Sequence, residues 1–449
     1  MSTSSYSIVL AAILFGAACK KSSSPAIIPE EEKPKPVVVT AVTARADSLV
    51  QVTETFSGTA EANRLGQSFP ASDFTPTGFY LPPNIPLKVN VEQVSGGKLP
   101  ILLVGTYSRY KNKWNPQEVQ LKSGENTITD PLGGLLYLRF TATTPGNSSA
   151  KVRFVSGQKP VPYYQLGKTT HTDWMEALKT MTDVPDVQLV SNRTIMVASR
   201  ANAVAYQVED QDAVLRLADR VINIEDSISG LDGTSPAENV NVHKYLMTET
   251  DNSDYYMVAT WYRTAYYQNT LAAVLTQNGL GKDGWGPWHE LGHMHQQGAW
   301  TWGALGEVTV NVYSLAVERK FGITPSRLKK DNVWPKVDTY FAKPDADKDF
   351  NGDGTDVWVR LCMFHQLWMA YGDAFYHRLH KAARQEKPSL ADDAAKMKWF
   401  MLKACTISGH NLSVFFRKWG MKPDESAYTA IAALNLPAPA TEPSTLREN

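Results

Sequence analysis

One pentapeptide in the sequence combines residue types and spacing that could hold a metal ion and hydrolyse a bond with its help. It runs from His289 to His293, with Glu290 as its second residue. Residues four apart lie on one face of a helix, so the two imidazoles can bind a single zinc ion. Glu290 then projects toward the open coordination position, where its carboxylate can take a proton from a zinc-bound water. The pattern predicts a zinc hydrolase, with surface histidines on an ordinary helix as the alternative.

A catalytic zinc ion needs a third protein ligand and one open position. The metzincin pattern would require glycine and histidine where the sequence has Gln296 and Ala299, so that pattern is excluded. The gluzincin pattern takes a glutamate from a following helix, and Glu307 and Glu318 are in range. They cannot both bind one ion, because eleven residues of helix separate them by about 16 Å. We predict Glu307, which opens its helix after a glycine-rich stretch, with Asn311 one turn on to hold its carboxylate.

Four further histidines have weaker claims on the chemistry. His295 lies two residues past the second imidazole ligand, so it points to another face and is predicted to be a structural or a cleft residue. One of His365, His377 and His380, on later helices, could donate a hydrogen bond in the transition state. The sequence does not choose among these three.

The metal motif belongs to a longer pattern that resembles the enhancin-like family of zinc peptidases, which includes viral enhancins and bacterial mucin-degrading glycopeptidases. Its most specific parts are the run from Trp285 to His293, Trp-Gly-Pro-Trp-His-Glu-Leu-Gly-His, and the run from Gly306 to Leu315. Three other stretches continue the resemblance, which covers residues 70 to 385. They begin at Thr77 (Thr-Gly-Phe-Tyr-Leu-Pro), Gly133 (Gly-Gly-Leu-Leu-Tyr-Leu) and Leu361 (Leu-Cys-Met-Phe-His-Gln-Leu).

This resemblance implies a gluzincin-type zinc site in which His289, His293 and Glu307 bind the ion and Glu290 is catalytic. It also implies cleavage of mucin-type O-glycosylated proteins, with recognition of a glycan beside the scissile bond. The family tryptophan four residues before the first ligand falls on Trp285, which we assign to glycan contact. A hydrophobic plug before the helix is the alternative, because an aromatic face suits a sugar ring and a protein core equally well.

Two other functions stay open at this point. One is a zinc peptidase of ordinary polypeptides, with no requirement for a sugar. The other is a surface adhesin that binds host glycans and carries an inactive peptidase domain. The intact set of predicted ligands argues against the adhesin.

A second metal pattern lies between Asp347 and Asp356, where oxygen-bearing residues alternate around Gly352 in the order of a calcium loop. Trp358 occupies the twelfth position, where an EF-hand needs a bidentate glutamate. We therefore expect either a calcium loop of another type or a solvated connector rich in Asp and Asn.

The elements that position these residues change in kind along the chain. From residue 37 to 160, short runs alternate apolar and polar side chains, as from Leu87 to Val91, with turn signals between them. These features predict an antiparallel β-sandwich. Residues 161–449 predict an α+β, mainly helical metallopeptidase domain of gluzincin type, including a strand over Val187 to Val197 and a helix over Asp212 to Ile224. The predicted fold class is therefore multidomain.

The charge balance and the leader sequence limit the possible partners and the location of the protein. Forty-five basic residues balance forty-five acidic ones, so nucleic acid is not an expected partner. O-glycosylated mucin-like proteins are the expected partners that the resemblance implies. The apolar run from Ile8 to Phe15, followed by small residues and Cys19, predicts a signal peptide over residues 1–18 and a lipid anchor at Cys19, with plain secretion as the alternative. Residues 19–36 then form a tether. We expect export across the inner membrane and anchoring on the bacterial outer membrane or cell surface. Cys362 and Cys405 could pair or stay free thiols.

Overall fold

The computed structural model describes residues 48–105 and 109–448. The predicted signal peptide, the tether and Cys19 lie outside the described residues, so these assignments stay predictions, as do the predicted domain limits. None of the helices in the described part of the chain combines the length and the apolar composition that a membrane span requires.

The described residues up to 160 contain short strands and one α-helix, α1 (Gly58–Leu65). Its strands are β1 (Leu49–Thr53), β2 (Thr55–Phe56), β3 (Thr75–Leu81), β4 (Leu87–Ser95), β5 (Ile101–Val104), β6 (Gln117–Gln120), β7 (Gly124–Ile128), β8 (Gly134–Arg139), β9 (Thr141–Ala142), β10 (Ser149–Ser156) and β11 (Lys159–Pro160).

Nine of these strands form the predicted antiparallel sandwich, and β2 and β9 form a separate parallel pair. One sheet has the order β1-β10-β4-β7 and the other the order β11-β3-β8-β5-β6, and every pairing within them is antiparallel. Alternate side chains of the two sheets meet in one core, with Val89 of β4 and Leu102 of β5 both fully buried. The alternation of apolar and polar residues read from the sequence therefore corresponds to inward- and outward-facing positions.

A six-stranded sheet follows, in the order β12-β13-β14-β15-β17-β16. Its strands are β12 (Tyr163–Gln165), β13 (Asp186–Val190), β14 (Thr194–Ser199), β15 (Tyr245–Thr250), β16 (Met257–Thr260) and β17 (Arg263–Tyr267). The prediction of one strand over Val187 to Val197 is wrong, because the chain turns between β13 and β14. Ser191 closes this turn: its N–H donates to the Thr194 carbonyl at 3.0 Å and its Oγ accepts the Thr194 N–H at 2.9 Å.

Helices make up most of the remaining chain. They are α2 (His171–Thr180), α3 (Arg200–Ala205), α4 (Gln211–Ile228), α5 (Ala272–Leu275), α6 (Gln277–Gly281), α7 (Trp285–His293), α8 (Gly306–Lys320), α9 (Arg327–Lys330), α10 (Trp334–Phe341), α11 (Val357–Tyr371), α12 (Asp373–Glu386), α13 (Asp393–Ser408), α14 (Ser413–Lys418) and α15 (Glu425–Ala433). The predicted sandwich followed by a mainly helical domain is confirmed. Cys362 and Cys405 are both free and buried, which settles their redox alternative in favour of thiols.

The close packing of α7 on α8 sets the geometry of the site. A Cβ atom on Gly292 would lie only 2.9 Å from the carbonyl oxygen of Val310 and 3.3 Å from Cβ of Tyr313. Glycine is therefore the residue that lets the two helices approach this closely. Every residue of α8 from Val308 to Glu318 is buried, so each polar side chain on this helix needs a partner inside the protein.

Candidate metal centre

Helices α7 and α8 bring the three predicted ligands together. His289 Nε2 lies 3.0 Å from Glu307 Oε2, and His293 Nε2 lies 3.5 Å from the same oxygen. The two Nε2 atoms are 3.1 Å apart. Within the described residues, this is the one group of three His, Cys, Asp or Glu side chains whose donor atoms all lie within 4.8 Å of one another.

The hydrogen bonds behind the two imidazoles show that this group fits a cation. Asn311 Oδ1 lies 2.9 Å from His289 Nδ1, and Gln296 Oε1 lies 2.6 Å from His293 Nδ1. The amide nitrogens fix the orientation of both groups. Asn311 Nδ2 donates to the backbone carbonyl of Glu307 at 2.9 Å, and Gln296 Nε2 donates to that of Gly306 at 2.8 Å. A carboxamide oxygen only accepts, so both Nδ1 atoms carry the proton and both Nε2 atoms present lone pairs.

Two imidazole lone pairs and one carboxylate therefore converge on the same point. A glutamate side chain is ordinarily ionised at neutral pH, so Glu307 supplies a carboxylate oxygen to this group. Three electron-rich atoms this close together repel one another unless a positive charge lies among them. Two His nitrogens and one Glu oxygen are ligands that zinc binds in catalytic sites, where a fourth position stays open.

Glu290 lies on the same helix but is not one of the three convergent groups. Its side chain is buried, and burial raises its pKa to about 7 against the lowering effect of His289. The backbone N–H of Ala259, in β16, donates to this carboxylate and also lowers the pKa. Glu290 is thus a carboxyl group near its titration point at neutral pH, next to the convergent ligands and held by the edge strand.

The structure corrects the role predicted for Asn311. Its amide group does not hold the Glu307 carboxylate: Nδ2 donates to the Glu307 backbone carbonyl one turn back, and Oδ1 faces α7. This follows from their spacing of four residues on one helix, which places the Asn311 amide beside the carbonyl of Glu307. The same oxygen accepts a second hydrogen bond, from Trp285 Nε1 at 3.1 Å. Asn311 therefore orients the first histidine and the tryptophan together.

Gln296 is a site residue that the sequence reasoning missed. The sequence analysis considered Gln296 only as the position where a metzincin would need glycine. Its side chain lies three residues past His293 and can reach that imidazole. Its Nε2 also donates to Thr309 Oγ1 at 2.8 Å, and Thr309 lies 2.9 Å from Thr301 Oγ1. The second histidine is therefore held by a chain of hydrogen bonds that reaches α8.

Trp285 and Trp358 form one wall beside the site. Their ring centroids are 5.7 Å apart, and the guanidinium carbon of Arg327 lies 4.8 Å from each centroid. Trp358 entered the sequence reasoning only as the wrong residue for a calcium loop. Trp285 and Trp358 are 73 positions apart in the sequence, and no local pattern predicts a contact over that separation.

Three of the remaining histidines, His295, His365 and His380, have partners outside the metal group, and for His377 the predicted role as a transition-state donor stays a prediction. His295 is buried, with Nδ1 2.9 Å from Glu225 Oε2 and Nε2 3.2 Å from Asp226 Oδ1, so the structural role predicted for it is supported. His365 Nε2 lies 2.9 Å from Glu448 Oε1, and His380 Nε2 lies 2.9 Å from the hydroxyl group of a buried tyrosine. Both are buried away from solvent, and neither is available as a transition-state donor.

Glu318 and the Asp-rich loop lie outside the metal group. Glu318 Oε1 accepts the backbone N–H of Arg327 at 2.8 Å. The side chain of Arg360, on α11, donates to two carbonyl oxygens of the loop, that of Phe350 at 2.8 Å and that of Gly352 at 2.6 Å. A protein cation thus already binds carbonyls of this loop, and calcium binding there stays a prediction.

Sequence profiles of known protein families match both parts of this chain. A sequence profile described as peptidase M60, enhancin and enhancin-like, matches residues 157–420, and a profile of the N-terminal domain of M60-like peptidases matches residues 57–154. Among curated proteins, TRPM8 channel-associated factor 2 from Bos taurus is 24% identical over 316 residues, which cover 69% of this chain and 33% of that protein. The chain thus spans about a third of the length of the curated relatives it matches.

Two solved structures share the fold. One is a functionally unknown conserved protein from Bacillus anthracis str. Ames, with 34% identity and a TM-score of 0.80 over 89% of this chain and 81% of that one. The other is the M60 catalytic domain of Clostridium perfringens ZmpC in complex with the sialyl T antigen, with 18% identity and a TM-score of 0.75 over 89% of this chain and 82% of that one. The resemblance inferred from the sequence is confirmed. Because the peptidase profile covers more than half of the 449 residues, this chain belongs to the enhancin and enhancin-like peptidases of family M60.

Proposed function

We propose that this protein is a zinc endopeptidase that hydrolyses peptide bonds in mucin-type O-glycosylated proteins. The observation that carries the proposal is the convergence of His289, His293 and Glu307, with Glu290 beside them but outside the group. Zinc held by the three ligands would supply Lewis acidity toward a water molecule and the scissile carbonyl. The protein's own contribution is to orient the ligands and to move a proton.

Glu290 is the group proposed to move that proton. Its carboxylate accepts a proton from the attacking water and later delivers it to the leaving amine, so the same residue serves as base and then as acid. Both steps are favoured when the pKa of the carboxyl group lies near the working pH, and burial raises the pKa of Glu290 from its ordinary value in that direction. The Ala259 N–H keeps the carboxylate oriented between the two events.

The edge strand β16 is proposed to bind the peptide. Among the described strands it pairs with β17 alone, so no strand covers its other edge, where an extended chain could add. It also packs directly on α7, since a Cβ atom on Gly286 would lie 2.5 Å from Met257 Sδ. A peptide added at this edge would run past the Glu290 carboxylate.

The glycan requirement is the finer part of the proposal. It is supported by the family and by the fold shared with a catalytic domain that was solved with the sialyl T antigen. Trp285 remains the proposed glycan contact through its ring, because its N–H is already donated to Asn311. The sequence from residue 8 to Cys19 supports anchoring on the bacterial outer membrane or cell surface as part of the same proposal.

The experiment that tests the function is digestion of an O-glycosylated mucin, with mass mapping of the cut sites. We expect cleavage next to glycosylated residues, loss of cleavage with a zinc chelator, and recovery when zinc is restored. Equal cleavage of the enzymatically deglycosylated mucin would favour a peptidase of ordinary polypeptides. Mucin binding with no metal-dependent cleavage would favour a glycan-binding adhesin.

A further inference from the structure

Arg327 occupies an unusual position at the wall formed by Trp285 and Trp358. Its guanidinium carbon lies 4.8 Å from both ring centroids, so one cation contacts two indoles. Aromatic faces attract a guanidinium group and restrict its motion. The side chain is therefore pre-organised, although it is 36% exposed to solvent.

The backbone of Arg327 is anchored as well. Its N–H donates to Oε1 of the buried Glu318 at 2.8 Å. On the side chain, Nε donates to Asp331 Oδ2 at 3.1 Å, and Asp331 is 45% exposed. Within the described residues, the two terminal nitrogens of the guanidinium have no hydrogen-bond partner, so they keep their donors for another group.

The guanidinium is connected to the metal ligands through a short chain of contacts. The Trp285 ring, against which it lies, donates its Nε1–H to Asn311 Oδ1 at 3.1 Å. The same oxygen holds Nδ1 of His289 at 2.9 Å. Trp285 also lies one helical turn before His289 on α7. The guanidinium group of Arg327 therefore lies on the His289 side of the site.

We propose that Arg327 recognises a carboxylate on the substrate and so sets a preference for anionic glycopeptides. This inference rests on the proposed function. A guanidinium group held over two aromatic rings keeps the donors of its terminal nitrogens, which match a carboxylate in bidentate geometry. The carboxylate comes either from a sialic acid of the O-glycan or from an Asp or Glu side chain beside the cleaved bond.

The charges around Arg327 permit this role. Asp331 already pairs with Nε, but an exposed pair four residues apart on a short helix contributes little and leaves most donors unused. Lys329 and Lys330 follow on the same short helix and are exposed, so the segment from Arg327 to Asp331 has three basic residues and one acidic residue. Glu318 is bonded to the backbone and does not cover the guanidinium.

The test compares synthetic glycopeptides that differ in one charge. One pair carries the same O-glycan with or without sialic acid, and a second pair carries Asp or Asn next to the glycosylated residue. The measured quantity is the ratio of kcat/KM within each pair, for the wild type, Arg327→Gln and Arg327→Lys. Arg319→Gln is the matched control, because Arg319 also lies over a tryptophan, at 4.6 Å from the Trp368 ring, and is 45% exposed.

We expect the wild type and Arg319→Gln to favour the anionic member of at least one pair by about five- to tenfold, as for a partly exposed charge-assisted hydrogen bond. The pair that shows the effect identifies the source of the carboxylate. Arg327→Gln should bring the ratio close to one, and Arg327→Lys should keep part of it, because the charge remains while the planar fork is lost. Added salt should reduce the wild-type ratio.

Binding of the same peptides to the Glu290→Gln protein, measured by calorimetry, gives a readout that does not require catalysis. The anionic peptide should bind about fivefold more tightly, and a second substitution, Arg327→Gln, should remove the difference. An unchanged ratio in Arg327→Gln, or a wild type that treats both members of each pair alike, would overturn the role of Arg327 alone. Failure of the wild type to cleave or bind any glycopeptide would overturn the proposed function with it.

Discussion

His289 is held from behind by Asn311, whose Oδ1 lies 2.9 Å from the imidazole Nδ1. Gln296 does the same for the other histidine, at 2.6 Å. Each carboxamide fixes the tautomer that leaves Nε2 free to bind a metal ion. The two ligands are thus supported by neutral side chains, one on α8 and one just after α7. Three predictions follow from this arrangement and from the packing around it.

The first prediction separates metal binding from catalysis. Glu290→Gln should keep one zinc ion per chain, because Glu290 is not among the convergent ligands, and should lower kcat by about 10²- to 10⁴-fold, since its proton transfer is lost. Zinc content by elemental analysis and cleavage of an O-glycosylated peptide check the two halves. Glu176→Gln, an exposed substitution on α2, is the control. Retention of full hydrolysis in Glu290→Gln would remove this residue from the mechanism.

The second prediction concerns the amides behind the histidines. Asn311→Ala and Gln296→Ala should each weaken zinc binding by about 10- to 100-fold, because the imidazoles lose the acceptors that orient them. Asn311→Asp should retain much of the affinity, since a carboxylate also accepts the Nδ1 proton. Competition with a fluorescent zinc chelator measures these affinities. Affinities of both alanine variants equal to that of the wild type would show that the two amides are not needed.

The third prediction tests the contact between α7 and α8. Gly292→Ala should lower the free energy of unfolding by about 1–3 kcal/mol, because the new methyl group meets the Val310 carbonyl oxygen at 2.9 Å. Gly306→Ala is the matched control: it lies at the start of α8 with open space around the position of its Cβ. Chemical denaturation compares the two variants. Equal stability of Gly292→Ala and Gly306→Ala would mean that the two helices can separate at little cost.

The ligands could be predicted because their signal is local. Two histidines four residues apart lie on one face of a helix, whatever the position of that helix in the fold. Only two glutamates, Glu307 and Glu318, were in range as the third ligand. The support of those ligands was harder to predict. Gln296 carries no signal beyond its proximity, and Asn311 was found but given the wrong partner, because side-chain direction depends on how α7 faces α8.

Contacts between distant segments account for most of what the sequence did not predict. Trp358 and Arg327 reach Trp285 across 73 and 42 positions of sequence, and neither bears a motif. The strands were predicted from alternation, but the turn at Ser191 was missed because the short polar segment from Ser191 to Arg193, between two apolar segments, was taken as part of one strand. Helix α10 was also missed; it is only 8 residues long and offers too few turns for its period to stand out.

The most direct test of the central claim is the zinc content of two matched variants, Glu307→Gln and Glu318→Gln. Both residues lie on α8, but only Glu307 has its carboxylate within 3.0 and 3.5 Å of the two imidazole Nε2 atoms. We expect one zinc ion per chain in the wild type and in Glu318→Gln, and loss of the ion from Glu307→Gln after dialysis. A Glu307→Gln protein that retains one tightly bound zinc ion would contradict the assignment of the metal centre.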